Sequence, residues 1–136
     1  MIIEGKDIHF HDIYELICIL EECSFDKEKM YQLYLNHLNR DDYHYYVYLK
    51  DDKVVGMLSL LIKETLHHND LTGEIIELCV HPEFRNQKIG EALLQHVEAY
   101  ALQHHLVELE LSSSMRRIHA HRFYESHKYI KDHYNF

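Results

Sequence analysis

Residues 85–90 combine side chains and spacing that suit phosphate binding. Arg85 and Lys88 supply positive charge, and Gly90 lets the backbone approach a ligand closely. An apolar pattern of helical spacing begins near Ile89, and the first N–H groups of a helix have no intrahelical partner, so they can converge on an anion. The sequence therefore predicts a phosphate-binding loop that opens a helix. Its members are Arg85, Asn86, Gln87, Lys88, Ile89, Gly90 and Glu91.

A β-strand must deliver the chain to this loop. Residues 74–80 are β-prone, and the run ends at Pro82, which cannot donate to a sheet ladder. The order strand, turn, helix follows. Two carboxylates, Glu74 and Glu77, lie in this strand. Strand alternation places them on opposite faces unless a β-bulge intervenes.

Two runs of the sequence resemble motifs of one superfamily. Residues 85–90 are similar to the Arg/Gln-x-x-Gly-x-Gly/Ala pyrophosphate-binding motif of the GCN5-related N-acetyltransferases, which move acetyl from acetyl-CoA to an amine. Lys88 stands where the motif usually has its first glycine. Residues 120–125, Ala-His-Arg-Phe-Tyr-Glu, resemble the last helix of the superfamily, whose tyrosine lies near the coenzyme sulfur. The resemblance implies that Tyr124 is the general acid.

The same resemblance implies where the thioester lies. In the superfamily the pantetheine follows the central strand, so we expect the backbone of Leu78, Cys79 and Val80 to lie along it and an N–H to polarise the carbonyl. A carboxylate near the strand end must then receive the amine proton. We favour Glu77, on the face opposite Leu78 and Val80. Glu74 is the alternative, because it falls where some histone-modifying members keep their base, and either carboxylate taken singly is also explained as a solvated strand residue.

A closer similarity runs over nearly the whole chain. It is to the aminoalkylphosphonate N-acetyltransferases, which acetylate small amines that carry a phosphonate, and a divalent metal has been associated with their activity. The resemblance implies an aminoalkylphosphonate acceptor. It is compatible with a divalent metal, but the sequence does not commit us to one and we assign no metal ligand. The similar segments are 14–18 with 25–26, 66–68 through 73–75, 77–78, 110–112 and 119–124.

A phosphonate acceptor requires a second anion site. Arg116 and Arg117 directly precede the last predicted helix, where backbone N–H groups would assist them. Arg122 and the pair His67 and His68 are the other cationic candidates, and we retain His68 as a substrate-binding candidate. Adjacent histidines in a strand point to opposite faces, so the pair alone makes a poor chelate.

Composition restricts the function further. A chain of 136 residues with 46% apolar residues, four glycines and one proline suits a single globular domain over residues 1–136. The net charge of −9 disfavours nucleic acid as a partner. Three cysteines without CxxC spacing predict reduced thiols, and neither a signal peptide nor a membrane span is indicated, so we expect a cytoplasmic protein without membrane association.

The order of elements is typical of an α/β domain. We expect Asp12 and Asp26 to cap two helices, and residues 43–49 and 54–62 to form a hairpin. Residues 63–73 read as too polar for a strand. The remaining predictions are strands at 2–4, 74–80 and 106–111, helices at 89–104 and 118–126, and a closing hairpin at 129–136.

The prediction is therefore an α/β (α+β) fold of the GNAT type, with a central mixed, mostly antiparallel sheet of about six to seven strands and about four helices. The predicted function is acetyl-CoA-dependent N-acetylation of a small-molecule amine by direct attack in a ternary complex. Polyamine, aminoglycoside or protein amines are alternative acceptors, and a non-catalytic acetyl-CoA-binding module is a further alternative. A homodimer is compatible with the sequence.

Overall fold

The computed structural model describes residues 1–111, and these residues build one five-stranded sheet. The sheet order is β1-β2-β3-β4-β5. Neighbouring strands are antiparallel except β4 and β5, which are parallel. The strands are β1 (Ile2–Glu4), β2 (Tyr43–Lys50), β3 (Lys53–Thr65), β4 (Asp70–Val80) and β5 (Leu109–Leu111).

Three α-helices cover the two faces of this sheet. They are α1 (Phe10–Glu21), α2 (Lys27–Leu38) and α3 (Ile89–Gln103), and 3-10 turns lie at Asp7–His9 and Pro82–Phe84. The predicted α/β fold with a mixed sheet is confirmed. The described residues hold five strands and three α-helices; the helix predicted at 118–126 and the hairpin predicted at 129–136 lie outside them. No helix within residues 1–111 is long and apolar enough to cross a membrane.

One face of the sheet, the α3 face, packs on helix α3. Leu58, Leu60 and Ile75 of the sheet are buried there against Leu93 and Val97. At the end of α3, Ala101 is 7% exposed whereas Leu102 is 81% exposed, so the helix buries Ala101 and not Leu102. This packing fixes the start of α3, and with it the loop before it, at the end of β4.

The opposite face, the α1/α2 face, packs on the first two helices. Phe10, Ile13 and Leu16 of α1 and Tyr34 of α2 are buried against Val47, Met57 and Cys79 of the sheet. The faces are assigned by strand register: Met57 pairs with Cys79, Ser59 with Glu77, and Leu61 with Glu74.

A β-bulge in β4 sets the direction of the two candidate bases. Ser59 faces Glu77 whereas the next residue of β3, Leu60, faces Ile75, so Ile76 is an extra residue in β4. Because of this extra residue, Glu77 and Glu74 pair with Ser59 and Leu61, which are two residues apart in β3 and share a face. Both carboxylates therefore lie on the α1/α2 face.

Two local predictions are wrong. Asp12 does not cap α1, which begins at Phe10 after a 3-10 turn with His9 at the cap position; Asp12 instead accepts a hydrogen bond from the Val54 N–H at 3.0 Å. Residues 63–73 are largely strand, since β3 runs to Thr65 and β4 begins at Asp70. Their polar side chains are accommodated because these strand ends pair with each other.

The cap of α2 and the first hairpin turn agree with the sequence prediction. Asp26 caps α2 by accepting a hydrogen bond from the Lys29 N–H at 3.1 Å. The hairpin turn at Asp51 and Asp52 has φ of 50° and 63°, which matches the right-handed twist of the strands that it joins. The last described strand is shorter than predicted, starting at Leu109.

Candidate functional site

The loop between β4 and α3 has the backbone of an anion-binding turn. Asn86 and Lys88 have φ of 65° and 62°, in the left-handed region that favours glycine. The Ala92 N–H donates to the Lys88 carbonyl at 3.0 Å, so the N–H groups of Ile89, Gly90 and Glu91 precede the first helical bond. A glycine at the Lys88 position would adopt this backbone without strain, which accounts for the glycine in the motif that the loop resembles.

Positive charge surrounds these N–H groups. Arg85 and Lys88 are exposed, as are Asn86 and Gln87. Lys50, at the end of β2, donates a hydrogen bond through Nζ to Gln87 Oε1. The loop therefore has a third cation that is 37 residues away in sequence. Sequence reasoning missed Lys50, because only the pairing of β2 with β3 carries it to the loop.

The backbone of β4 presents alternate residues to its two edges. The His81 N–H donates to the Val55 carbonyl at 2.8 Å, and in the same register Cys79 pairs with Met57. Antiparallel pairing alternates, so the polar backbone groups of Cys79 point to β3 while those of Leu78 and Val80 point to the other edge. That other edge is the one on which Gly73–Ile75 pair with β5. Leu78 and Val80 thus direct their N–H groups to the edge of β4 that faces away from β3, beyond the three residues that pair with β5.

Glu77 is held by a buried serine. Ser59, which is fully buried, donates through Oγ to Glu77 Oε1 and accepts from the Glu77 N–H at 3.0 Å. Both bonds come from one hydroxyl, so they fix the side chain and the backbone of the glutamate together. The bulge at Ile76 makes this possible by placing Glu77 opposite Ser59.

Glu74 has a cationic neighbour. Lys63 Nζ lies 2.8 Å from Glu74 Oε1 and 3.6 Å from Glu110 Oε2. The hydrogen bond to Glu74 is the main cause that raises the pKa of Lys63, so Lys63 remains charged at neutral pH. Of the two candidate bases, Glu74 is ion-paired to a lysine, whereas Glu77 is hydrogen-bonded to a hydroxyl.

Three rings, those of Tyr43, Tyr45 and His37, line the α1/α2 face beside Glu77, and we call them the aromatic wall. Tyr45 pairs with Ser59 across β2 and β3, and Tyr43 pairs with Leu61. Burial, and after it the charge of Glu77, raises the pKa of Tyr43 to about 12. The His37 ring stacks on Tyr43 at 4.0 Å between centroids, and its Nδ1 lies 2.7 Å from the Tyr45 hydroxyl. These three rings form an apolar border next to Glu77 on the α1/α2 face.

The predicted site residues thus divide into two groups. One strand–loop–helix unit carries the loop 85–91, the strand residues Leu78, Cys79 and Val80, and the candidate bases Glu74 and Glu77. Tyr124, Arg116 and Arg117 lie outside the described residues. Ser59 escaped sequence reasoning, since a serine inside an apolar strand carries no local signal for the partner across the sheet.

Comparisons with known proteins agree with this geometry. Residues 10–129 match the Acetyltransferase (GNAT) family. The chain is 39% identical over 124 residues to an aminoalkylphosphonate N-acetyltransferase of Salmonella typhimurium, covering 91% of this chain and 80% of that protein.

Solved structures share the fold at low sequence identity. A transcriptional regulator from Bacillus halodurans C-125 matches with a TM-score of 0.91 and 18% identity, covering 100% of this chain and 96% of that one. A putative acetyltransferase from Agrobacterium tumefaciens str. C58 matches with a TM-score of 0.88 and 16% identity over the same shares of the two chains. The family match covers most of the chain, and its residues 10–129 include β4, the anion-binding loop and α3. The chain therefore belongs to the GNAT family of acetyltransferases and is an acyltransferase.

Proposed function

We propose that this acetyltransferase transfers acetyl from acetyl-CoA, the cosubstrate of its family, to the primary amine of an aminoalkylphosphonate. The observation that carries the acceptor is the 39% identity, over 91% of the chain, to the Salmonella aminoalkylphosphonate N-acetyltransferase. The geometry supports the reaction itself, because Glu77, which is bonded to the buried Ser59, lies near the end of β4, and the anion-binding loop follows that same end.

The coenzyme binds along this segment. Its pyrophosphate is received by the N–H groups at the start of α3 and by the charges of Arg85, Lys88 and Lys50. Its pantetheine follows β4 past Leu78, Cys79 and Val80. The N–H of Leu78 or Val80 donates to the thioester oxygen, where negative charge develops during attack.

Acetyl transfer proceeds by direct attack in a ternary complex. Glu77 takes the proton of the incoming ammonium, directly or through a water, so that the neutral amine can attack the thioester carbon. The new C–N bond forms and the C–S bond breaks, and the nitrogen releases its second proton to solvent as the amide forms. Tyr124, which lies outside the described residues, protonates the departing thiolate. Glu77 is favoured over Glu74 because Glu74 is ion-paired to Lys63 at 2.8 Å.

The described face supports a second class of acceptor. Among residues 1–111, Glu74 and Glu110 contact Lys63, Glu77 shares the face of Glu74, and Glu108 lies 2.8 Å from His68. Such a face attracts a cationic amine, as in a polyamine or an aminoglycoside, and repels a phosphonate unless a cation intervenes. Arg116 and Arg117 are proposed to supply part of that positive charge.

The test is release of free thiol from acetyl-CoA across a panel of acceptors. The panel contains aminomethyl- and aminoethylphosphonate, spermidine, an aminoglycoside and a peptide amine, each with and without added divalent metal. Turnover confined to the phosphonates supports the proposal. Turnover with the cationic amines alone overturns the acceptor assignment, and tight acetyl-CoA binding without turnover on the whole panel indicates a non-catalytic module.

A further inference from the structure

Helix α1 ends in a motif that brings two cysteines together. Glu22, directly after the helix, has φ of 57° and ψ of 34°, in the left-handed region. Its N–H donates to the Ile19 carbonyl at 3.3 Å, and the Cys23 N–H donates to the Cys18 carbonyl at 3.2 Å. These two bonds define a Schellman motif. The residues that its longer bond joins, here Cys18 and Cys23, commonly place their side chains in contact.

The same backbone bond limits the distance between the two cysteines. The Cys18 oxygen and the Cys23 nitrogen are each fixed to their own Cα by bond geometry, so an N–O distance of 3.2 Å holds the two Cα atoms within about 7 Å of each other. Disulfides join Cα atoms that are about 4.4–6.8 Å apart. The end of α1 therefore holds Cys18 and Cys23 at a separation that a disulfide can bridge.

Both thiols are free, and they differ in their access to solvent. Cys23 is exposed and Cys18 is half-buried, whereas Cys79 of β4 is buried. A search for CxxC spacing misses Cys18 and Cys23 because four residues separate them. Only the left-handed turn at Glu22 brings the two positions together.

These thiols lie where the connection between α1 and α2, residues 22–26, is held to α1. Tyr14, one helical turn before Cys18, donates through its hydroxyl to the Phe25 carbonyl at 2.6 Å. A side-chain hydrogen bond with Cys18 is the first cause that raises the pKa of the Tyr14 phenol. The connection joins the two helices that cover the sheet face of Glu77.

We propose that Cys18 and Cys23 form a reversible disulfide that clamps the α1–α2 connection when a small-molecule disulfide, such as glutathione disulfide, is the oxidant. The exposed Cys23 thiolate attacks one sulfur of the oxidant and releases a first glutathione thiolate. The Cys18 thiolate then attacks the Cys23 sulfur of the mixed disulfide and releases the second. The two protons of the protein thiols pass to the released thiolates, so the protein loses two electrons and the oxidant gains them.

The test compares the disulfide in the folded and in the unfolded chain at equilibrium. Equilibrium is the right measure because the carboxyl end of a helix disfavours a thiolate and slows the exchange. A bond that fits the native backbone forms more readily in the native state and stabilises that state by the same free energy. We therefore expect the equilibrium constant for the disulfide to be about tenfold or more higher in the folded chain than in urea.

The full chain is equilibrated with reduced and oxidised glutathione, with and without urea, and free thiols are then alkylated. The tryptic peptide 7–27 carries both cysteines and no internal lysine or arginine. Its disulfide form lacks two hydrogen atoms and takes up no alkylating reagent. Cys79 lies in another tryptic peptide and is the internal control. Equal constants in the folded and unfolded chain overturn the proposal, as does a mixed disulfide or a disulfide between two copies in place of the internal bond.

Serine variants provide a second measurement. The oxidised wild-type chain should have a Tm about 3 °C or more above that of the reduced chain. The Tm values of Cys18→Ser and Cys23→Ser should not depend on the glutathione buffer, and their unfolding under reducing conditions verifies that they are folded. Cys18→Ser should stop at the mixed disulfide on Cys23. An oxidised wild-type chain that is no more stable than the reduced chain contradicts a clamp that fits the native backbone.

Discussion

Ser59 and Glu77 face each other across β3 and β4, and a single hydroxyl bonds both the carboxylate and the N–H of the glutamate. We expect Ser59→Ala to destabilise the fold by about 1–2 kcal/mol, because the buried N–H loses its acceptor. If the hydroxyl also orients the base, kcat should fall about tenfold while KM for acetyl-CoA is kept. Urea unfolding and steady-state kinetics measure the two effects.

Thr72→Val provides a control for this substitution. Thr72 is fully buried in β4, the strand of Glu77, and its hydroxyl has no hydrogen-bond partner among residues 1–111. The valine should therefore leave stability unchanged or raise it by about 1 kcal/mol, with kcat unaffected. A Ser59→Ala variant that loses stability but keeps the wild-type kcat and pH profile would restrict Ser59 to a structural role.

The choice between the two carboxylates is tested by the pH dependence of kcat/KM. Glu77→Gln should lower kcat by about 100-fold and remove the acid limb, since the proton acceptor is gone. Glu74→Gln removes the partner of Lys63 and should retain the limb. Loss of the limb in Glu74→Gln alone means that the roles of the two residues are reversed.

Two substitutions of Lys88 separate the effect of its strained backbone from the effect of its charge. Its φ of 62° strains any residue with a Cβ, so Lys88→Gly should be more stable than Lys88→Ala by about 1 kcal/mol. Both variants lack the ammonium, so they should bind acetyl-CoA with similarly reduced affinity. Thermal unfolding and calorimetric titration measure the pair, and equal stability of the two variants contradicts the strained backbone.

Lys50 is expected to act on the coenzyme phosphates through its position next to Gln87. Lys50→Met should weaken acetyl-CoA binding by about three- to tenfold at low salt, with a smaller difference at high salt because exposed charges are screened. Lys53→Met is the control, since Lys53 pairs with Lys50 across the same hairpin and is exposed. Equal losses in both variants would indicate a general effect of net charge.

The sequence predicts those parts of the site that depend on consecutive residues. The strand 74–80, the loop 85–90 and the helix after it are one local unit, so turn chemistry and periodicity suffice to place them. The common face of Glu74 and Glu77 depends on the extra residue Ile76, and a bulge is decided by pairing with a distant strand. Lys50 and Ser59 reach the site only through that same long-range pairing.

The errors have a similar origin. Asp12 resembles a helix cap in sequence, yet its carboxylate serves Val54, 42 residues away, while a 3-10 turn starts the helix earlier. Residues 63–65 and 70–73 read as too polar for a strand, yet they extend β3 and β4, which pair with each other, and only residues 66–69 form the turn. In each case the residue types indicate the correct local preference, and a contact with a distant part of the chain overrides it.

The last prediction concerns pH and the stability of the aromatic wall. Burial, and after it the charge of Arg40, lowers the pKa of His37, although Asp42 opposes this shift. The unfolded chain then binds more protons than the folded chain as pH falls below the ordinary histidine pKa of about 6.5. The stability contributed by neutral His37, which stacks on Tyr43, is therefore present above pH 6.5 and is lost as pH falls through the lowered pKa.

His37→Phe keeps a stacking ring and removes the titration. Its Tm should fall less than that of the wild type between pH 7.5 and pH 5.5, while at pH 7.5 it loses the bond to the Tyr45 hydroxyl. A part of the pH dependence should persist, because burial also lowers the pKa of His9. His11→Gln, at an exposed histidine, is the control and should leave the wild-type slope intact. If His37→Phe shows the same slope as the wild type, His37 does not account for the acid sensitivity of this face.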